Sequence, residues 1–283
     1  MIQAAPERVR GREPMSPTGI DAYKPAEIAR LIETAGVAKS ELPCLSLVTL
    51  GALAGAFIAF GSLFYLVVLS GENPAAGLTR LAAGLAFSLG LILVIVGGAE
   101  LFTGNALLVM ARVDGLVTSK AVARNWSIVY LANFAGALMI VALAVAAGLH
   151  QAPIGAVAAD IAAHKIALTA PELVARGILC NALVCLAVWL SFAARDIAGK
   201  VLVIAPPIAA FVALGFEHSI ANMFLLPFGW VAGAPIDAAG IAVNLLWVTI
   251  GNLIGGAGGV GLSYWAAYGA RRAAPPPIST STH

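Results

Sequence analysis

The feature that most constrains the fold is a pair of polar segments inside long apolar runs. GGAELFTGN (97–105) ends a run that begins at residue 81, and GFEHSIAN (215–222) interrupts a later run. Each run is longer than the roughly 20 helical residues that cross a bilayer. A charged side chain facing lipid near the bilayer centre costs roughly 2.5–3.5 kcal/mol. Glu100, Glu217 and His218 are therefore expected to face protein or a water-filled cavity.

The overall composition agrees with a chain that lies in lipid. Of its 283 residues, 60% are hydrophobic and 11% are charged, whereas soluble domains are near 45–50% apolar and about 25% charged. Six apolar segments are long enough to span a bilayer: 45–69, 81–110, 126–149, 173–193, 201–228 and 241–268. The sequence therefore predicts an all-α membrane protein with six transmembrane helices and the lipid bilayer as its surroundings.

Charge placement predicts the domain layout and the orientation. Thirteen of the 16 lysines and arginines fall on one side if the N-terminus is cytoplasmic, and Arg80, Lys165 and Arg176 fall on the other. The positive-inside rule then places both termini in the cytoplasm. We expect a cytoplasmic segment at 1–43 with a short amphipathic helix on the membrane or against the bundle, a transmembrane domain at 44–268, and a disordered tail at 269–283.

The two polar segments belong to an internal repeat. Asn105 follows Glu100 by five positions, and Asn222 follows Glu217 by five. Further matches are NFAG (133–136) with NLIG (252–255), and GALAGAF (51–57) with GILCNAL (177–183). Three spans followed by three similar spans place the two halves in opposite orientations. The pattern predicts an inverted 3+3 repeat, with spans 2 and 5 broken around a transport site near mid-membrane.

Several long segments resemble the formate/nitrite transporter family. They are FSLGLILVIVGGAELFTGN, HKIALTAPELVARGILCNALVCLAVW, GFEHSIANMF and NLLWVTIGNLIGG, and the likeness covers about 45–265. The resemblance implies an aquaporin-like fold and a homopentamer in which each protomer has its own pore. It further implies that small monovalent anions of weak acids cross that pore with a proton or as the neutral acid.

The resemblance also assigns roles to residues of this chain. Thr103 and His218 would flank a central chamber, and Lys165 would reach in beside Glu217 and Asn181. Apolar constrictions and lining positions are expected at Phe87, Leu91, Leu101, Phe211 and Val184. Supports of the helix breaks are expected at Glu100, Asn105, Asn222 and Asn252.

His218 is the only histidine placed inside a predicted span. Imidazole titrates near neutral pH, so we expect it to donate a hydrogen bond to the substrate and to act as a proton relay. Protonation matters because an anion crossing an apolar constriction bears a large desolvation cost.

Other functions are less consistent with the residues. Formate is the first expected substrate, with nitrite and hydrosulfide next. An aquaporin-type pore for neutral solutes fits the repeat, but Glu and His stand at the breaks where Asn-Pro-Ala would be expected. No metal-ligand cluster, nucleophile–base pair or nucleotide loop is present, so no enzyme activity, metal or cofactor is expected. The net charge of +2 indicates no nucleic-acid partner.

Overall fold

A computed structural model describes residues 22–71 and 73–269, which fold into helices joined by turns with no strand among them. The expected disordered tail lies outside the described residues apart from its first position, and so do the first 21 residues of the expected N-terminal segment. The helices are α1 (Pro25–Glu41), α2 (Cys44–Leu69), α3 (Gly77–Gly97), α4 (Leu108–Val113), α5 (Ser119–Ala146), α6 (Pro153–Ile166), α7 (Ala170–Ala193), α8 (Ile197–Ala213), α9 (Ser219–Val231) and α10 (Ala238–Leu253). A 3-10 turn at Gly104–Leu107 leads into α4, another lies at Leu149–Gln151, and π-helical turns at Ile254–Leu262 and Trp265–Gly269 continue α10.

Within residues 22–71 and 73–269, five helices are long and apolar enough to cross a membrane. They are Cys44–Leu69, Gly77–Gly97, Ser119–Ala146, Ala170–Ala193 and Ala238–Gly269. Large apolar side chains such as Leu131 and Leu143 remain exposed on their outer surfaces, at 65% and 59%. In water such a surface would be unfavourable, whereas lipid solvates it. The chain is therefore a multi-pass membrane protein.

Two apolar segments are interrupted, one at each polar motif. Helix α3 ends at Gly97, and helical structure resumes at Gly104. Helix α8 ends at Ala213, and α9 begins at Ser219. A glycine with positive φ, Gly98 at 80° and Gly215 at 72°, turns the chain at each interruption. A side chain with a Cβ is disfavoured in that left-handed conformation.

Glycines bring two pairs of helices into direct backbone contact. A Cβ on Gly136 of α5 would lie 1.9 Å from the carbonyl oxygen of Ala52 in α2. At the equivalent place in the second half, a Cβ on Gly255 would lie 2.1 Å from the carbonyl oxygen of Ile178 in α7. Contacts this close are the usual reason for small residues at membrane helix interfaces. These contacts join α2 to α5, which precede and follow the first interruption in the chain, and α7 to the continuation of α10, which precede and follow the second.

Two shorter helices complete the bundle. Ile28, Ala29 and Ile32 of α1 are buried in a cluster with residues of α4 and α7, so this predicted amphipathic helix packs against the bundle. Helix α6 lies between the third and fourth predicted spans, in a stretch where the sequence patterns predicted no helix. Its 14 residues are too short to span a bilayer, and a Cβ on Gly229 of α9 would lie 2.5 Å from the Ala158 carbonyl of α6.

We predict that Gly136→Ala strongly lowers thermal stability in detergent. The added methyl group would overlap the Ala52 carbonyl, and overpacking of this kind costs about 1–3 kcal/mol or more. Gly258→Ala is the matched control, because a Cβ there meets nothing within 4 Å. Equal melting temperatures for the two variants would contradict the close α2–α5 contact.

Candidate functional site

The first interruption is filled by a charged cluster. Lys39 Nζ of α1 donates to Glu100 Oε1 at 2.8 Å and to Asn105 Oδ1 at 2.9 Å. Asn105 Nδ2 in turn donates to Glu100 Oε2 at 2.7 Å and to Asn125 Oδ1 at 2.9 Å. Asn125 Nδ2 closes the network by donating to the Lys39 carbonyl at 3.1 Å. The Glu100 charge is thus paired and hydrogen-bonded, as a buried carboxylate requires.

The second interruption repeats this network with different residues. Lys165 Nζ of α6 donates to Glu217 Oε1 at 2.8 Å. Asn222 Nδ2 donates to Glu217 Oε2 at 2.7 Å and to Asn244 Oδ1 at 2.8 Å, and Asn244 Nδ2 donates to the Lys165 carbonyl at 3.1 Å. One contact differs, because Asn222 Oδ1 is buried without a partner, whereas Asn105 Oδ1 accepts from Lys39.

Two asparagines satisfy the main chain of the interruptions. Asn133 Nδ2 donates to the Gly51 and Glu100 carbonyls at 2.8 and 2.9 Å, and its Oδ1 accepts from Phe102 N at 3.0 Å. Asn252 does the same for Gly177, Glu217 and Ser219, with bonds of 2.9, 2.9 and 2.9 Å. Backbone groups freed from a helix in a bilayer need such partners.

The two interruptions meet at Thr103 and His218. Thr103 Oγ1 lies 2.9 Å from His218 Nε2, and both residues are buried. His218 is the N-cap of α9, where its Nδ1 accepts from Ala221 N at 3.1 Å. Asn181 Nδ2 donates to the Thr103 carbonyl at 3.2 Å and to the Asn252 carbonyl at 2.7 Å. The carbonyl of Thr103 also accepts from the Cys185 thiol at 3.4 Å.

Two cavities approach this contact, one from each charged cluster. The α1 vestibule is a cavity of about 250 Å³ bordered by Lys39, Glu100, Leu91, Leu101 and Gly104. The α6 vestibule is a cavity of about 680 Å³ bordered by Lys165, Glu217, His218, Phe87 and Phe211. Because Gly104 follows Thr103 in the chain and borders one cavity while His218 borders the other, the Thr103–His218 contact lies between them.

Apolar side chains line the inner end of each vestibule. The rings of Phe87 and Phe211 pack edge to face with centroids 5.6 Å apart, and Phe211 lies 5.9 Å from the His218 ring. Leu91 and Leu101, both nearly inaccessible, border the α1 vestibule. Val184 is buried in the same core but borders neither vestibule, so its role as a lining position stays a prediction.

Sequence reasoning missed Lys39, Asn125 and Asn244. Lys39 counted only as one of the cytoplasmic positive charges, yet it occupies the place in the first half that Lys165 occupies in the second. A signal was present, since Lys39 precedes Gly51 by twelve residues and Lys165 precedes Gly177 by twelve. Extending the internal repeat toward the N-terminus would have paired the two lysines. In residues 22–71 and 73–269, no group of three His, Cys, Asp or Glu side chains is placed to hold a metal ion.

Comparison with known proteins agrees with this architecture. The sequence profile described as formate/nitrite transporter matches residues 26–266. The formate channel FocA of Escherichia coli (strain K12) is 40% identical over 271 residues, covering 88% of this chain and 95% of the relative. The uncharacterized transporter YrhG of Bacillus subtilis (strain 168) is 44% identical over 250 residues, covering 87% of this chain and 93% of the relative.

Solved structures give the same result. A pentameric formate channel with formate bound has a TM-score of 0.74 and 38% identity, covering 80% of this chain and 97% of the other. An ion channel of the FNT family has a TM-score of 0.79 and 29% identity, covering 85% and 98%. The prediction of an all-α membrane protein is confirmed at this level, and the family consists of channels and transporters, not enzymes. The resemblance found in the sequence is confirmed, and the chain belongs to the formate/nitrite transporter family.

Proposed function

We propose that this protein is a proton-linked channel or transporter for small monovalent weak-acid anions, with formate as the first substrate. The observation that carries the proposal is the Thr103–His218 hydrogen bond between two vestibules, each with a partly buried Lys–Glu pair. The formate channels among its relatives support the choice of substrate.

The proposed architecture is six spans in an inverted 3+3 repeat of aquaporin-like form. Helix α3 with α4 would form the second span, and α8 with α9 the fifth. The matching hydrogen-bond networks at the two interruptions support this proposal, because each residue of one network has a partner of the same type in the other. The pentameric relative supports a homopentamer, and the lysine and arginine distribution supports cytoplasmic termini at a bacterial inner membrane.

Each vestibule would concentrate anions by means of its lysine. The side chain of Lys165 is 12% exposed and that of Lys39 is 31% exposed, so each ammonium group reaches its cavity while staying paired with a glutamate. A cleft with low-dielectric walls focuses such a charge and raises the local concentration of anions. Glu217 and Glu100 hold the lysines in place, and their negative charges lower the positive potential of the ammonium groups.

Neutralisation would then let the substrate pass the apolar side chains. The transfer of an ion to an apolar medium costs tens of kcal/mol in the Born limit. Protonating a carboxylate with a pKa near 4 at pH 7 costs only about 4 kcal/mol. The neutral acid is therefore the favoured species beside Phe87, Phe211, Leu91 and Leu101.

The hydrogen bonds of His218 define what it offers to the substrate. A backbone N–H can only donate, so Nδ1 is an acceptor and a neutral ring carries its proton on Nε2. That proton is donated to Thr103 Oγ1, which leaves the Thr103 hydroxyl hydrogen available to a bound anion. Relaying a proton through the ring requires Nδ1 to be protonated first, which breaks the bond from Ala221 N. We therefore propose that vestibule water delivers the proton and that His218 orients Thr103.

Nitrite and hydrosulfide are the alternative substrates, since both are monovalent anions of weak acids. A pore for neutral solutes of the aquaporin type is the remaining alternative. The lysine in each vestibule favours anions over neutral solutes. A permeability to water and glycerol below that of an aquaporin-type control pore would argue against the neutral-solute pore.

His218→Asn is predicted to retain the fold and to lose transport. Asn is a favoured N-cap and can accept the Ala221 N–H bond, so stability changes by no more than about 1 kcal/mol. Its shorter side chain does not reach Thr103, and the loss of this donor lowers formate flux about tenfold or more. Flux is measured in proteoliposomes beside thermal unfolding in detergent.

The control for that variant is Asp237→Ala, which removes the exposed N-cap of α10, where Asp237 Oδ1 accepts from Gly240 N at 2.7 Å. It should lower stability and leave flux unchanged. Formate flux at the wild-type rate in His218→Asn would contradict the proposed role of His218.

Formate flux is predicted to increase as the external pH falls, and chloride flux to remain near background. The reason is that formate gains a proton and chloride, the anion of a strong acid, does not. Both are measured in the same liposomes at two external pH values. Flux of formate that is independent of pH, or chloride flux of equal size, would contradict neutralisation.

Lys39→Met is predicted to destabilise the protein by about 2 kcal/mol, because Glu100 loses its charge-assisted hydrogen bond. Adding Glu100→Gln should restore stability, since no buried charge is left unpaired. Formate flux should stay about tenfold low in the double variant, because the vestibule has lost its cation. Recovery of flux together with stability would mean that Lys39 has only a structural role.

A further inference from the structure

The α6 vestibule contains two guanidinium groups that the transport mechanism above does not use. A Cβ placed on Gly215 would lie 3.6 Å from Arg80 Nη2 and 3.8 Å from Arg176 Nη1. The two side chains, from α3 and α7, therefore converge on one point of the cavity wall. Both border the cavity that leads to Lys165 and Glu217.

Within residues 22–71 and 73–269, neither arginine is in a salt bridge of 4.0 Å or less, whereas Lys39 and Lys165 are each paired with a glutamate. Arg176 Nη1 donates to the Gly215 carbonyl at 3.2 Å, which fixes its position. Asp160 and Glu217 also border the cavity, so among its described lining residues two carboxylates are outnumbered by Arg80, Arg176 and Lys165.

We propose that Arg80 and Arg176 form a second anion-binding site in the α6 vestibule, which receives planar carboxylate anions before they reach Lys165. This inference rests on the proposed function and specifies the substrate class that the vestibule selects. A guanidinium group presents parallel N–H donors that match the two oxygens of a carboxylate, whereas a spherical or single-atom anion uses only one.

Among the described residues that line the α1 vestibule there is no equivalent arginine pair. Lys39 there also makes two side-chain bonds, to Glu100 and Asn105, while Lys165 makes one, to Glu217. The α6 vestibule therefore offers more unused cationic donors to an entering anion. Capture of carboxylate should be stronger from the α6 side than from the α1 side.

The test uses the full-length protein in zwitterionic lipid vesicles with the α6 face outward. Formate uptake is measured against external formate concentration, with and without external malonate, a dicarboxylate too large for the proposed pore. Arg80→Gln/Arg176→Gln should raise the half-saturating formate concentration about threefold or more with little change in maximal rate. Inhibition by malonate should weaken by a similar factor, and Arg80→Lys/Arg176→Lys should lie between the two.

Arg30→Gln is the matched control, because it removes one exposed positive charge on α1, outside both vestibules. An equal effect in this control would overturn the site in favour of general charge. The site would also be overturned if the double variant kept the half-saturating formate concentration and the malonate inhibition of the wild type. Formate uptake at the wild-type rate in that variant would leave the proposed function standing. If the double variant fails to fold, Arg80→Gln alone decides, since its side chain makes no hydrogen bond within the described part of the chain.

Discussion

The structure depends on a partly buried ion pair at each helix interruption, with an asparagine bound to its carboxylate. Helices α3 and α8 stop at the two polar motifs, and each leaves a glutamate and several main-chain groups to be satisfied. Lys39 and Lys165 supply the positive charge, and Asn105 and Asn222 hold the second carboxylate oxygen. Without these contacts the interruptions would expose charge and free carbonyls to a medium that solvates neither. The lysines come from short helices, α1 and α6, which explains why the fold needs two helices that do not cross the membrane.

The same contacts that stabilise the interruptions also create the functional chamber. Because each chain break turns at a glycine and is tied to Asn133 or Asn252, its next residues project into the centre of the protein. Thr103 and His218 meet there within hydrogen-bond distance. The Thr103 carbonyl accepts from Asn181 of the second half, and His218 Nδ1 accepts from Ala221 N. Polar groups buried at this depth are stable because they hydrogen-bond to one another and to the main chain. A polar centre between two apolar barriers favours a substrate that can change its charge.

Much of this arrangement could be predicted from the sequence. Long apolar runs gave the spans, and the repeated Glu-to-Asn spacing located both interruptions, because a charge in a bilayer has few permitted environments. Short helices were harder to predict: α6 is 14 residues long and apolar, so neither length nor polarity separates it from a loop. Lys39 was missed because a lysine before the first span is also what the positive-inside rule expects. Asn125 and Asn244 contact Asn105 and Asn222 only in the folded protein. Their spacing along the chain does not predict these contacts.

The central claim is that the substrate crosses the Thr103–His218 region as a neutral acid. Its most direct test is the charge carried per formate, measured by recording formate uptake and luminal pH together in vesicles of known buffer capacity. The account predicts electroneutral uptake in which one proton enters with each formate, independent of an imposed membrane potential. Uptake that carries one negative charge per formate, without acidification of the lumen and with a rate set by the potential, would contradict it.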